Sequence, residues 1–354
     1  MVALTRDEVY IRRCIEIARK GFDKTRQNPL VGSVIVYNNR IIGEGYHTFF
    51  GGPHAEVNAI NSVRDKQLLT KSTLYVNLEP CSHFGKTPPC SLLIRNLKIP
   101  RVVIGSSDSN PEVSGHGIRI LKESGIEVIT GILEEECRFL NRRFYTFHEK
   151  KRPYIILKWA QSSDGFIDIK RNPDSERIPV WISNQTARIL VHKWRAEEIA
   201  IMAGTNTILT DDPGLDVRDW PGESPIRLVP DKNGRLFEHL KVFNGKSKTL
   251  IFTSLNKISS ENIVYIRLPK ELFSFATILE ELRKQNVLSI LVEGGAILLK
   301  HILESGLWDE ARVFTGNINF RDGVKSPVID KKANEQLFYR ANLLNIYFNR
   351  QQSN

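Results

Sequence analysis

Pro53-His54-Ala55-Glu56 opens a helical pattern, and Leu78-Glu79-Pro80-Cys81-Ser82-His83-Phe84-Gly85-Lys86-Thr87-Pro88-Pro89-Cys90 closes the stretch around which the chain is organised. One histidine and two cysteines offer one nitrogen and two sulfurs. That is three of the four ligands of a tetrahedral zinc, with the fourth place left for water. Glu56 follows His54 by two residues, so it can stand beside such a water without binding the metal. A carboxylate there takes a proton from the water and passes it to a leaving amine. A closed zinc site that only staples the fold would need a fourth protein ligand, for which His83 is the nearby candidate; the placement of Glu56 favours the catalytic reading over that one.

His-x-Glu followed by Pro-Cys-x-x-Cys is the signature of zinc deaminases. Here eight residues, not two, separate Cys81 from Cys90. The longer loop carries His83 and Lys86, which can hydrogen-bond or pair with an anionic substrate. With Asn28-Pro29-Leu30-Val31-Gly32, His54-Ala55-Glu56-Val57, Glu79-Pro80-Cys81-Ser82-His83, Gly85-Lys86-Thr87-Pro88-Pro89-Cys90 and Asp108-Ser109-Asn110-Pro111 in one order, this half resembles the deaminase half of the bifunctional riboflavin-biosynthesis deaminase/reductase family. The resemblance implies a cytidine-deaminase-like three-layer α/β domain with one zinc per chain on His54, Cys81 and Cys90, and Glu56 as the catalytic proton carrier. It further implies substrate contacts at Asn28, His47, His83 and Lys86, beside a pocket bordered by the loop from Asp108 to Gly117. On the residues alone, Asn28 reads equally well as a local Asx turn, and single residues of that loop as turn chemistry.

At 354 residues the chain is long for one domain and comfortable for two, and 41% hydrophobic content supports ordinary cores. No run of about 18 apolar residues predicts a membrane span. Met1 to Asp7 has no signal-peptide core, so a cytoplasmic protein is expected. Of four cysteines, Cys14 and Cys137 fall in helical patterns and read as buried thiols. The net charge of +10 divides into +4 over residues 1–149 (20 Lys/Arg, 16 Asp/Glu) and +6 over 150–354 (30 and 24). The excess is spread, with no basic block to track a phosphate backbone. Small phosphorylated ligands are expected rather than nucleic acid or membrane; a homo-oligomer is compatible with the sequence.

Thr5 and Glu8 form a capping box for a helix through Lys20. Strands Val31–Tyr37 and Ile41–Tyr46 flank an Asn38-Asn39 turn. A helix near His54 is followed by a strand from Ser72 to Leu78, which places Cys81 just past a strand end, where open α/β sheets put chemistry. A helix from Ser91 to Leu97 opens at Cys90, whose thiolate would gain from the helix N-terminus. Strands at 101–105 and 127–130 alternate with helices at 118–123 and 134–147, giving a helix-covered sheet. Glu149-Lys150-Lys151-Arg152-Pro153 reads as a linker, dividing a deaminase domain, 1–149, from a second α/β domain, 150–354.

The second half resembles the same family's reductase half, which has a dihydrofolate-reductase-like fold. The carrying residues are Lys158-Trp159-Ala160-Gln161-Ser162-Ser163-Asp164-Gly165, Trp181-Ile182-Ser183, His192-Lys193-Trp194-Arg195-Ala196, Gly204-Thr205-Asn206-Thr207, Asp211-Asp212-Pro213, Leu215 with Arg218, and Val292-Glu293-Gly294-Gly295. Physically, Glu293-Gly294-Gly295 joins an apolar strand to a helix, where glycines let backbone approach a pyrophosphate, although any strand-to-helix turn favours glycine. The resemblance implies NADPH along Gly295, Ala296, Ile297, Leu298, Leu299, Lys300 and His301, with further cofactor contacts at Gln161, Trp181, Thr207, Asp211 and Ser254. It implies substrate contacts at Arg195, Leu215, Arg218 and Glu293. A guanidinium fork suits a phosphate, whereas without the resemblance Arg195 and Arg218 read as surface ion pairs. Two departures stand out. Pro179 replaces a polar substrate contact, and Thr315-Gly316-Asn317 replaces an apolar-Pro-Lys-Leu ending.

The implied function is zinc-dependent hydrolytic deamination of 2,5-diamino-6-(5-phosphoribosylamino)pyrimidin-4(3H)-one. NADPH-dependent reduction of the ribosyl group to ribityl then gives 5-amino-6-(5-phosphoribitylamino)uracil. Two other classes compete. A nucleic-acid-editing deaminase predicts the short cysteine spacing and a basic, aromatic patch, and the sequence has neither. A zinc-stapled scaffold predicts that Glu56 matters only to stability.

Overall fold

The computed structural model describes residues 4–22, 24–83, 88–110, 114–170 and 180–349. The chain divides into two compact units, Met1–Lys151 and Arg152–Asn354.

In the first unit, Thr5 Oγ1 accepts from the Glu8 amide and Glu8 Oε2 accepts from the Thr5 amide at 2.7 Å, so both orphan donors at the start of α1 (Arg6–Ala18) are satisfied. The helix buries Ile11, Cys14, Ile15, Ile17 and Ala18, and tightens into a short turn, Arg19–Gly21, where the pattern had run on as helix. Strands β1 (Gly32–Tyr37) and β2 (Arg40–Tyr46) form a hairpin through Asn38 and Asn39, both with positive φ (47° and 60°), as a mirror-type turn demands. There follow α2 (Ala55–Ser62), β3 (Thr73–Leu78), α3 (Cys90–Asn96), β4 (Arg101–Ser106), α4 (His116–Glu123) and β5 (Glu127–Thr130). The sheet runs β2-β1-β3-β4-β5, antiparallel through β1 and parallel from β3 to β5. Strand residues alternate between its faces. Ile35, Leu74, Val76, Val102 and Ile104 pack against α2, α3 and α4. Val34, Val36, Tyr75 and Val103 pack against α1 and against Cys137 and Leu140. Helices cover both faces, which makes three layers.

The helix expected from 134 to 147 is two helices, α5 (Glu134–Leu140) and α6 (Arg142–Glu149). Asn141 breaks it for a tertiary reason. Its buried amide accepts from the Leu30 amide at 2.7 Å and donates to the Leu30 carbonyl at 2.9 Å. Asn77, fully buried in β3, takes the Gly32 amide at 2.7 Å and also donates to the Leu30 carbonyl. Two asparagines far apart in sequence thus clamp the backbone that follows Asn28.

The second unit holds β6 (Tyr154–Gln161), β7 (Phe166–Ile169), α7 (Gln185–Glu197), β8 (Ala200–Met202), α8 (Thr205–Asp211), β9 (Ile226–Pro230), β10 (Thr249–Thr253), β11 (Ile263–Arg267), α9 (Phe275–Lys284), β12 (Ser289–Glu293), α10 (Ala296–Ser305), β13 (Glu310–Thr315), β14 (Gly323–Lys325), β15 (Glu335–Tyr339) and β16 (Asn342–Phe348). The large sheet runs β11-β10-β9-β8-β12-β6-β13-β16-β15, and β7 pairs separately with β14. Neighbours are parallel from β11 to β13, then antiparallel through β16 and β15. Tyr154, Ile156, Leu291, Phe314 and Leu344 pack on Ala187, Val191 and Trp194 of α7, and Ile201 and Val229 on Ile208 of α8. The divergent Gly316 has a packing reason: a Cβ there would lie 2.2 Å from the Ile182 carbonyl, beside Trp181. Among the described residues no helix is long and apolar enough to cross a membrane.

Candidate active sites

The first site assembles at the C-terminal end of β3. Cys81 follows that strand, His54 caps the N-terminus of α2, Glu56 sits in its first turn, and Cys90 begins α3. His54 Nδ1 stands 3.4 Å from both sulfurs, and the three ligand atoms lie within 4.8 Å of one another. Zinc with ordinary bond lengths sets tetrahedral nitrogen and sulfur about 3.6 Å apart, so the donor set fits the ion in number, type and spacing. The helix-terminus advantage expected for Cys90 falls on Cys81: the Cys90 amide donates to Cys81 Sγ at 3.2 Å. The adjacent Cys90 thiol, then the His54 ring and that amide, pull the Cys81 thiol down to about 4 against its burial. Cys90 is pushed up by the neighbouring Cys81 sulfur and by burial. The hydrogen bond to Cys81 lifts His54 to about 9. Burial lifts Glu56 to about 7.

Asn28 and His47 join this cluster. Asn28 Nδ2 lies 2.9 Å from His47 Nε2, and His47 Nδ1 lies 3.0 Å from the Pro53 carbonyl. An amide N–H can only donate and a carbonyl can only accept, so the pair assigns the His47 tautomer: proton on Nδ1, lone pair on Nε2. Burial lowers the His47 pKa, in keeping with that neutral form. Its ring meets the His54 ring edge-on, centroids 5.7 Å apart. His83 is exposed, and Lys86 lies outside the described residues.

Glu79 is a participant the motif reading quoted but gave no role. Its buried carboxylate accepts from the amides of Asp108, Gly115 and Ile118, and so ties down the loop before α4. Asp108, next to it, is buried and pushed up to about 6 by that burial.

The second site is a cavity of about 810 Å³ in the second unit. It lies over the C-terminal ends of the strands and is bordered by the first turns of α8 and α10. Of the expected residues, Trp181, Thr207, Asp211, Gly295, Ala296, Ile297, Leu298, His301, Arg195, Leu215 and Glu293 line it. Leu299 and Lys300 do not. Each residue of a helix turns by about 100°, so Leu299 faces the core, fully buried, and Lys300 faces solvent near Glu304. Gln161 is off the cavity, accepting from Trp159 Nε1 at 2.9 Å, and Arg218 is an exposed partner of Asp216. Ser254 is likewise off the cavity; its amide donates to the Lys232 carbonyl.

The floor of the cavity is ionic. Arg195 donates through Nε and Nη2 to the two Glu293 oxygens at 2.7 and 2.9 Å, and through Nη1 to the Asp216 carbonyl. Lys158 Nζ reaches Glu293 Oε2 at 3.3 Å. The Arg195 fork expected to hold phosphate is therefore occupied by a carboxylate. Burial alone would raise Glu293, but Arg195 and Lys158 outweigh it and hold the carboxyl far below its ordinary range. Lys158 was readable as a lone lysine in the apolar strand from Tyr154 to Ala160. Trp181 is not core: it is 60% exposed, with the Arg188 guanidinium 4.1 Å from its ring centroid. Leu215 lines the cavity with φ at +49°, a left-handed conformation rare for a branched side chain.

Fold and sites define a class: a cytidine-deaminase-like domain joined to a reductase-like α/β domain. The family described as the cytidine and deoxycytidylate deaminase zinc-binding region matches residues 4–106, and that described as the RibD C-terminal domain matches residues 153–331. Riboflavin biosynthesis protein RibD of Aquifex aeolicus is 38% identical over 314 residues, 87% of this chain and 86% of that one. A solved diaminohydroxyphosphoribosylaminopyrimidine deaminase/5-amino-6-(5-phosphoribosylamino)uracil reductase from Thermotoga maritima is 36% identical, with a TM-score of 0.85 over 96% of this chain and 98% of that one. Acinetobacter baumannii RibD superposes with a TM-score of 0.86 at 30% identity, covering 98% and 99%. The chain belongs to the RibD family of bifunctional riboflavin-biosynthesis deaminase/reductases.

Proposed function

We propose that the first unit hydrolytically deaminates 2,5-diamino-6-(5-phosphoribosylamino)pyrimidin-4(3H)-one. The second unit then reduces the ribosyl group to ribityl, giving 5-amino-6-(5-phosphoribitylamino)uracil. The observation that carries this reading is the cluster of His54 Nδ1, Cys81 Sγ and Cys90 Sγ with Glu56 buried on the same helical turn. Zinc on those three atoms would leave one position to water and acidify it. Glu56, buried in the first turn of α2, would take a proton from that water and give it to the departing amine. His47, locked with its lone pair on Nε2, holds the Asn28 amide, and that amide is held against the pyrimidine.

NADPH bound in the second unit would supply the hydride that reduces the ring-opened imine form of the sugar at its anomeric carbon. Glu293, ionised by its two cationic neighbours, can only accept hydrogen bonds. It therefore orients sugar hydroxyls and cannot be the proton donor that imine reduction also requires. The partner of both units is a small phosphorylated pyrimidine, not nucleic acid or membrane. The test supplies the diaminopyrimidine and NADPH to zinc-replete protein and follows ammonia and nicotinamide absorbance in one sample. Ammonia release followed by NADPH loss is expected, and absence of both signals overturns the reading.

A further inference from the structure

We infer that His192 is a positioning residue for the reduction: from outside the cavity it fixes the loop from Leu215 to Asp219, which presents Leu215 to the substrate. The inference rests on the reductase reading of that cavity proposed above. On α7, Ala187, Val191 and Trp194 pack on the sheet. Arg188, His192 and Arg195, spaced by four and three residues, share another face of the helix. All three reach the loop. Arg195 Nη1 donates to the Asp216 carbonyl at 3.0 Å. His192 Nδ1 accepts from the Arg218 amide at 3.2 Å, and its Nε2 stands 3.4 Å from Asp219 Oδ2. Arg188 Nη2 lies 3.8 Å from the same oxygen. Between these points Ser224 Oγ accepts from the Val217 amide at 3.0 Å. Asp216, Val217 and Arg218 are thus each tied through a backbone polar group. Their neighbour Leu215 lines the cavity with φ at +49°. A strained conformation of that kind persists only where the surroundings over-determine it.

Arg195 also holds Glu293, so its loss would disturb the loop and the cavity floor together. His192 is buried and does not line the cavity, so it would act on reduction through the loop. The loop lies at the Glu293 end, because one guanidinium joins the Asp216 carbonyl to the Glu293 carboxylate. The proposed reaction places the sugar there, so a shift of Leu215 bears on the substrate before the dinucleotide. The hold also depends on protonation. A backbone N–H only donates, so Nδ1 carries the lone pair and Nε2 the proton, on the side of Asp219. An imidazolium would turn an N–H toward the Arg218 amide and lose that bond. The charges around the ring are Arg195 on its own helix, Asp219 and Arg218 on the loop, and Glu293 at the end of β12. Burial, with the two arginines, holds its pKa below the ordinary histidine value against the two carboxylates. The ring is therefore neutral, and the hold intact, at pH 7.

The test is steady-state reduction of the ribosylaminouracil by the full chain, with NADPH binding followed by calorimetry. Wild type is compared with His192→Ala, His192→Asn and His192→Gln. The Asn carboxamide oxygen stands near the place of Nδ1 and can accept from Arg218. The longer Gln carboxamide reaches the place of Nε2 and restores only the contact with Asp219. Neither titrates. His192→Ala is expected to raise the KM for the ribosylaminouracil by about tenfold, with kcat within about threefold and NADPH affinity within about twofold. His192→Asn should recover most of that loss and His192→Gln little of it. Below about pH 6.5 the wild-type KM should climb more steeply than that of His192→Asn, which shares only the titration of the substrate's phosphate. The inference is overturned if His192→Ala leaves KM unchanged, if His192→Gln recovers as much as His192→Asn, or if the two pH profiles coincide. Should His192→Ala fail to fold, the Asn–Gln difference and the pH profiles decide. Wild type that does not reduce the ribosylaminouracil overturns the reductase reading itself, whereas active wild type with unmoved variants overturns this inference alone.

Discussion

The two sites are built from opposite materials. The first draws its candidate ligands and its proposed acid–base group from 37 consecutive residues, His54 to Cys90, delivered by one strand end and two helix starts. The second is spread over more than 140 residues, from Lys158 to His301, and its parts meet only because parallel strands end on one edge of a sheet. Chemistry that needs fixed donor atoms at bond distance is carried by a tight motif. Chemistry supplied by a mobile dinucleotide needs a shaped surface, which single residues at many strand ends can provide. The contrast also lies in charge. The first site pulls one thiol down and lifts a histidine to about 9 and a glutamate to about 7, whereas the second neutralises its carboxylate with two cations at once.

Removing a ligand tests the contrast most severely. Cys81→Ser is expected to lose bound zinc and all ammonia release, by metal analysis and ammonia assay, yet to keep NADPH oxidation when given the deaminated ribosylaminouracil. Loss of both activities would break the separation between the sites.

Glu293→Gln comes next. It leaves Arg195 and Lys158 without their counter-charge, and breaking a buried pair costs about 3–5 kcal/mol. Denaturant unfolding of the second unit should show a loss of that order together with lost reduction, while ammonia release is unchanged.

The acid limb gives a related sign. Glu293 in the folded chain titrates below its unfolded value of about 4.3. Its contribution to stability is therefore present above that value and is lost as pH falls toward the folded value. Wild type should lose stability more steeply than Glu293→Gln below about pH 4.3, which unfolding curves across that range would measure.

These sites also show what was legible in advance. The capping box, the Asn38-Asn39 turn and the zinc-type cluster rest on neighbours in sequence, and each is in place. The break at Asn141 was not legible, because its cause is the Leu30 backbone 111 residues away. The run Gly295 to His301 read as one lining segment, but a helix shows a cavity only one face, which removes Leu299 and Lys300. Arg195 looked like a phosphate fork because Glu293, which occupies it, is 98 residues distant. In the cofactor region the family resemblance pointed to Ser254, which lies off the cavity.

The smallest effect is expected at that asparagine. Asn141→Ala removes two buried hydrogen bonds to Leu30 and should cost about 1–3 kcal/mol. Because the clamped backbone carries Asn28, the KM for deamination should rise more than kcat falls, and reduction should not change. Equal effects on both activities would assign Asn141 to general stability alone.

The central claim, that a metal cluster with Glu56 as its proton carrier works independently of the second cavity, meets its most direct test in Glu56→Gln. Zinc-replete Glu56→Gln protein is given the diaminopyrimidine, and in a parallel sample the ribosylaminouracil with NADPH. The prediction is one zinc per chain, ammonia release down by about 10²–10⁴-fold and NADPH consumption at the wild-type rate. Ammonia release at the wild-type rate from that protein would contradict the account.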